Sequence, residues 1–168
     1  MRPSEQVALK WETIDDEGIY IGLSRVRNRE KSDLKNEYSR RRIELRPAMR
    51  EVLEKQREQV KDFDSPYVFL TQVGTPIIQD RLRDQWSKAM TASGLTYRRI
   101  YETRHTFASW ALGAGELPEW VARTLGHADT SMIYRTYGRY IPNLTRQDGS
   151  AFERQYRRQM TREGGDEI

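Results

Sequence analysis

The fold is decided by a stretch that reads YETRHTFASWALGAGELPEWVARTLGH, residues 101–127. It predicts two consecutive helices, the first spanning residues 101–113. Pro118 suits the first turn of the second helix, and Gly126 is typical of a helix end. The core face expected for the first helix carries Phe107, Trp110 and Ala111.

Near the N-terminus the spacing of hydrophobic residues differs from that of the two predicted helices, because it alternates. Alternating side chains predict strands at residues 19–24 and 42–45, which pair antiparallel across a long basic loop. The further helices expected from periodicity and capping residues span 4–11 with Ser4 as cap, 47–60, 79–93, 129–140 with Asp129 or Thr130 as cap, and 151–160. The predicted class is mainly α with a small antiparallel β-sheet near the N-terminus (α+β).

Composition narrows the class of protein. The chain has 168 residues, 36% of them hydrophobic and 32% charged, which is enough for one domain with its own core. It has no cysteine, so disulfides and cysteine-based metal sites are excluded and a reducing compartment fits. No apolar run approaches about 18 residues and no signal peptide is visible, so we expect a cytoplasmic protein that does not enter a membrane.

Basic charge is concentrated in one segment. The net charge is +4, whereas residues 25–42 alone carry eight basic and three acidic side chains. Such a patch is typical of a surface that binds a polyanion, although a solvated hairpin is the simpler alternative. The residues that we expect to contact such a polyanion are Arg25, Arg27, Arg40, Arg41, Arg42, Arg98 and Arg99.

Arginine, histidine and tyrosine side chains recur within the helical region, at Arg104, His127 and Tyr137. Arginine holds phosphate oxygens in a bidentate fork. A tyrosine hydroxyl can attack phosphorus, and a histidine can donate to the developing charge. This set of residues suits phosphoryl transfer on a diester. The sequence shows no clustered carboxylates of the kind that a two-metal nuclease requires.

Five segments in order along the chain resemble the conserved boxes of the tyrosine recombinases, or phage integrases, over residues 1 to about 142. They are Arg2-Pro3-Ser4-Glu5, Lys35 before Ser39-Arg40-Arg41, Arg104-His105-Thr106-Phe107-Ala108-Ser109, Leu125-Gly126-His127, and Tyr137. The resemblance implies the catalytic-domain fold of that family and cutting and rejoining of DNA through a 3′-phosphotyrosine intermediate. It also implies double-stranded DNA as partner, a tetramer on DNA formed from free monomers, and no cofactor.

The resemblance assigns a role to each candidate catalytic residue. Arg2 and Arg104 match the two arginines that clamp the scissile phosphate, and Glu5 matches an acidic residue that orients the first of them. Lys35 matches a hairpin lysine that protonates the leaving 5′ oxygen, with Lys31 as its competitor.

His127 matches a histidine that donates to the phosphate, and Tyr137, ten residues later, matches the nucleophile. Tyr134 and Tyr140 are the alternative nucleophiles, because the three tyrosines are spaced by three along one predicted helix.

Tyr101 departs from the pattern, because the family most often has histidine there. A phenol with a pKa near ~10 is a poorer base close to neutral pH. His105, beside Arg104, is interpreted as a structural, hydrogen-bonded histidine.

Residues 1–142 are thus expected to form a catalytic domain that lacks the preceding segments typical of the family, and residues 143–168 a tail with an amphipathic helix. A type IB topoisomerase-like strand relaxer and a non-catalytic DNA-binding fragment remain as alternatives.

Overall fold

The computed structural model describes residues 1–27, 29–32, 37–142 and 149–163. The helices are α1 (Pro3–Gln6), α2 (Pro47–Val60), α3 (Gln79–Ala92), α4 (Glu102–Gly113), α5 (Pro118–Leu125), α6 (Ser131–Tyr137) and α7 (Ser150–Glu163). The strands are β1 (Gly18–Ile21), β2 (Ser24–Val26), β3 (Arg29–Lys31) and β4 (Arg41–Glu44). The predicted class, mainly α with small antiparallel pairing near the N-terminus, is confirmed.

Two short antiparallel pairs form the β-structure. β1 pairs with β4, with Ile19 opposite Ile43, which confirms the predicted return of the chain across the basic segment. The prediction of one long loop in that segment is wrong, because β2 and β3 form a hairpin within it. The sequence did not predict this hairpin, because its strands are short and mostly exposed and therefore show no apolar alternation.

The first helix is shorter than predicted. It covers only Pro3–Gln6, and Arg2 rather than Ser4 is its cap. Beyond it the chain leaves the helix to pair with a distant segment, where the backbone N–H of Val68 donates to the Leu9 carbonyl at 2.9 Å. That long-range bond supplies Leu9 with the partner that a longer helix would otherwise provide.

α4, α5 and α6 enclose one core, made of Ala108, Leu112, Val121, Ala122, Leu125, Ile133 and Tyr137. The predicted inner face of α4 is wrong for Trp110, which is 76% exposed, and for Phe107, which is 38% exposed, whereas Ala111 does pack against this core. The buried face carries Arg104, Ala108 and Leu112, spaced by four. The sequence did not reveal this face as buried, because it begins with a charged residue, Arg104.

A second core lies beneath β1 and α2. Its buried members are Leu9, Ile19, Ile21 and Val68, with Met49 and Leu53 of α2 packed against them. Pro47 occupies the first turn of α2, as predicted.

α6 starts and ends close to tertiary contacts. Thr130 is the N-cap residue without a side-chain hydrogen bond, and Asp129 Oδ1 beside it accepts the backbone N–H of Ser131 at 2.8 Å. The helix ends at Tyr137 instead of continuing to Tyr140, and residues 138–140 form a tighter 3₁₀ turn. Within the described ranges no helix is both long and apolar enough to cross a bilayer.

Candidate active site

The C-terminal end of α5 gathers three arginines from distant parts of the chain. A helix ends with unpaired carbonyls and a partial negative charge, which suits arginine donors. The Thr124 carbonyl accepts from Arg41 Nε at 2.7 Å. The next two carbonyls, of Leu125 and Gly126, accept from Arg104 Nη2 and, at 3.4 Å, from Arg2 Nη2, respectively. The guanidinium groups of β4, α4 and the chain before α1 therefore converge on one helix end.

Glu5 is the negative charge of this cluster and is almost fully buried. Its carboxylate accepts from Arg41 Nη2 and Nη1 at 2.9 and 3.1 Å, and from Arg2 Nη1 at 2.9 Å. Burial opposes ionisation, but the hydrogen bonds from Arg41 and from the Arg2 backbone outweigh it and lower the pKa of Glu5. The ionised carboxylate thus holds two arginine side chains in place.

Arg41 does not lie on the basic surface where we predicted it. Its side chain is 2% exposed and pairs with Glu5, whereas its neighbours Arg40 and Arg42 are exposed. Alternation along β4 turns Arg41 inward, because successive side chains of a strand point to opposite faces. Arg41 therefore belongs to the buried arginine cluster and not to the exposed basic surface.

Arg104 is buried and incompletely bonded. Its Nη2 donates to the Leu125 carbonyl and lies 3.2 Å from His127 Nε2, while Nη1 has no hydrogen-bond partner among the described residues. Burial lowers the pKa of Arg104, the nearby Tyr101 raises it, and the positive charges of Arg2 and Arg41 lower it further. A buried donor without an acceptor is unfavourable, so this atom suits an anionic ligand.

His127 is aimed at Arg104 by the end of α5. Gly126 adopts the left-handed conformation, with φ 72°, and the His127 backbone N–H then donates to the Ala122 carbonyl at 2.9 Å. Because guanidinium groups only donate, His127 Nε2 is the acceptor from Arg104 and the ring proton sits on Nδ1. Burial, and then the charge of Arg104, lower the pKa of His127, so the ring is neutral near pH 7.

Tyr137 closes the other side of the site. Its ring is buried at the end of α6, and its hydroxyl lies 2.6 Å from His105 Nδ1. Burial raises the pKa of Tyr137, although the charge of Arg104 acts in the opposite direction. Tyr134 and Tyr140, the alternative nucleophiles, are both considerably more exposed.

His105 is the residue whose position sequence reasoning missed. It was interpreted as a structural, hydrogen-bonded histidine, and nothing in its spacing pointed to Tyr137 as the partner. Tyr101 contacts the edge of the His105 ring at 5.4 Å between centroids and is itself 41% exposed.

The remaining predicted residues differ in their surroundings. Lys35 lies outside the described residues. Arg27, Arg98 and Arg99 are exposed, whereas Arg25 is half-buried against the ring of Tyr67. Arg42 is exposed but pairs with Asp15 and Glu17. In the part of the chain that is described, no group of three or more histidine or acidic side chains is arranged to hold a metal ion.

Comparison with known proteins shows what this chain is similar to. It is 40% identical over 62 residues to the putative defective protein IntQ of Escherichia coli K12, covering 37% of this chain and 16% of IntQ. It is 27% identical to a tyrosine recombinase XerC-like protein of Caldanaerobacter subterraneus, covering 84% of this chain and 43% of the relative. The chain thus spans less than half the length of these relatives.

The fold is that of a solved recombinase. The Tn1549 transposon integrase in complex with circular intermediate DNA superimposes with a TM-score of 0.77 at 17% identity, over 93% of this chain and 56% of that one. The sequence profile of the phage integrase family matches residues 1–141, nearly the whole chain. The chain therefore belongs to the phage integrase family.

Proposed function

We propose that this chain is the catalytic domain of a site-specific DNA recombinase that uses Tyr137 as nucleophile. Its hydroxyl oxygen attacks a phosphodiester, forms a 3′-phosphotyrosyl bond and releases a 5′ hydroxyl. The observation that carries the proposal is the buried Arg104, whose Nη1 has no described partner. Arg104 lies within hydrogen-bond distance of His127, and its charge partly offsets the rise in the Tyr137 pKa that burial causes.

The arginines supply the charge that the reaction needs. Arg104 and Arg2 are proposed to hold the non-bridging phosphate oxygens as negative charge grows on them. Loss of one such donor typically raises the barrier by about 3–4 kcal/mol. His127 Nδ1–H adds a neutral donor. Lys35 remains the proposed acid for the leaving 5′ oxygen, on the basis of the family resemblance.

Rejoining follows from the same chemistry run backward. The phosphotyrosyl ester keeps the energy of the cleaved bond, so a 5′ hydroxyl of a partner strand can displace Tyr137 without a nucleotide cofactor. Double-stranded DNA is the proposed partner, bound through exposed arginines such as Arg40, Arg98 and Arg99. We propose a monomer that forms a tetramer on two duplexes, acting in the cytoplasm at the nucleoid.

A nicked suicide DNA substrate tests the proposal. We expect a covalent protein–DNA band on a denaturing gel with the wild type, with or without EDTA. The band should be absent with Tyr137→Phe and present with the matched controls Tyr134→Phe and Tyr140→Phe, whose side chains are 41% and 38% exposed.

The other outcomes separate the alternatives. A band that survives Tyr137→Phe moves the nucleophile to another tyrosine. DNA binding without any band identifies a non-catalytic DNA-binding module. Relaxation of supercoiled plasmid without recombinant products identifies a topoisomerase-like activity instead of strand exchange.

A further inference from the structure

We propose that His105 accepts the hydroxyl proton of Tyr137 as the tyrosine oxygen attacks phosphorus. This inference rests on the proposed function, since it requires Tyr137 to be the nucleophile. It gives His105 a catalytic task in this chain, at a position one residue after the phosphate-binding Arg104 and four after Tyr101.

The geometry already meets the requirement for a general base. His105 Nδ1 lies 2.6 Å from the Tyr137 hydroxyl, within the distance over which a base takes a proton directly. The two rings are tilted, with centroids 5.8 Å apart. Ala108 on α4 and Ile133 on α6 are fully buried in the shared core, so packing fixes the two helices that carry this pair.

The neighbouring groups are less suited to the task. His127 Nε2 is occupied by Arg104 Nη2 at 3.2 Å. Tyr101 is a phenol, a weak base at neutral pH, and contacts the edge of the His105 ring instead of the Tyr137 hydroxyl. Among the described residues, His105 is the one that lies within hydrogen-bond distance of the nucleophilic oxygen.

A groove connects His105 to solvent. It has a volume of about 490 Å³, and its charged and titratable lining besides His105 is Tyr97, Arg98, Arg99, Glu102 and Tyr140. The opposite side of the His105 ring is bounded by Tyr101 and Tyr137. A proton taken from Tyr137 can therefore leave to water through this groove, whose lining includes Arg98 and Arg99 but neither Arg2 nor Arg104.

The step balances in both directions. In cleavage the bond between Tyr137 oxygen and phosphorus forms, the bond from phosphorus to the 5′ oxygen breaks, and the hydroxyl proton moves to His105 Nδ1. The leaving 5′ oxygen takes its proton from water or another acid. In rejoining the 5′ oxygen loses that proton, and the His105 imidazolium returns one to the departing tyrosine oxygen.

Histidine NMR tests the assignment without relying on activity. The chain has two histidines, so ¹⁵N-histidine labelling yields two imidazole rings, and His127→Gln assigns them. We expect neutral His105 with its proton on Nε2 and Nδ1 as acceptor. Tyr137→Phe should shift the Nδ1 resonance of His105 more than either resonance of His127. A proton on Nδ1 of neutral His105 overturns the proposal.

Single-turnover cleavage of the suicide substrate supplies the kinetic test. His105→Gln should form the adduct about 10²–10⁴-fold more slowly at unchanged affinity for DNA, which is the usual contribution of a general base. Added imidazole should restore part of the rate to His105→Ala but none to His105→Ala/Tyr137→Phe. Thr106→Ala, which alters the same groove, serves as the matched control and should cleave at the wild-type rate.

The two proposals fail in different ways. If the wild type forms no adduct, the proposed function fails. If the wild type forms the adduct and His105→Gln forms it equally fast, the proposed function stands and His105 is not the base.

Discussion

At the scale of single residues, two histidines on the same site have different tasks because their partners differ. His127 faces the guanidinium of Arg104, and burial together with that positive charge lowers its pKa. It is therefore a neutral donor at physiological pH. His105 faces the Tyr137 hydroxyl and lies beside an open groove. Of these two identical side chains, one is thus a proposed hydrogen-bond donor to phosphate and the other a proposed proton acceptor.

The shifted pKa of His127 predicts a pH-dependent stability. Its pKa in the folded protein lies below its ordinary value of 6.5. As the pH falls below 6.5, the unfolded chain takes a proton that the folded chain refuses, so stability is lost toward acid pH. We expect the free energy of unfolding, measured in urea, to fall between about pH 7.5 and pH 5.5. His127→Gln should show a smaller fall, and an equal fall in both proteins would contradict the assignment.

At the scale of elements, the end of α5 is the organising feature. Carbonyls at positions 124–126 bind three arginines, and the left-handed Gly126 turns the chain so that His127 joins them. A Cβ atom at Gly126 would approach Arg41 Nη1 to 3.0 Å and Cδ to 3.2 Å. The glycine is therefore required both by its backbone conformation and by the close packing of Arg41.

Gly126→Ala and Gly94→Ala form a matched pair that separates these two requirements. Both glycines have positive φ, 72° and 65°, but a Cβ at Gly94 meets nothing within 4 Å. Each alanine should lower the free energy of unfolding by roughly 1–2 kcal/mol for the left-handed backbone. We expect a larger loss for Gly126→Ala, with reduced adduct formation as Arg41 and Glu5 shift. Equal losses in denaturant unfolding would show that Arg41 adapts without cost.

At the scale of the whole molecule, the site joins the two cores. Glu5 and Arg41 come from the half that contains α1 and β4, whereas the carbonyls of α5 belong to the helical half. Breaking a buried ion pair by removing one partner is typically strongly destabilising, because a charge is left unpaired. The cluster therefore couples the integrity of the active site to the packing of the two halves.

The surface charge of the whole molecule predicts salt-dependent DNA binding. Each phosphate contact that is lost should reduce the slope of log affinity against log salt by about 0.9. We expect Arg98→Gln and Arg99→Gln each to lower the slope, measured by fluorescence anisotropy with duplex DNA. Arg46→Gln removes an exposed arginine paired with Glu44, outside the proposed surface, and should leave the slope unchanged. If neither Arg98→Gln nor Arg99→Gln changes the slope, these two arginines do not contact DNA phosphates.

The family, the helical class and the order of the boxes could all be predicted from the sequence, because they depend on local spacing, capping residues and charge. Pro118 and Gly126 mark the limits of α5 in the structure as they do in the sequence. Three features could not be predicted from local patterns: Arg41 is buried, α4 turns Arg104 inward and Trp110 outward, and His105 contacts Tyr137. These facts depend on which distant groups satisfy one another, and a buried arginine is stable only where carboxylates and carbonyls from other elements surround it.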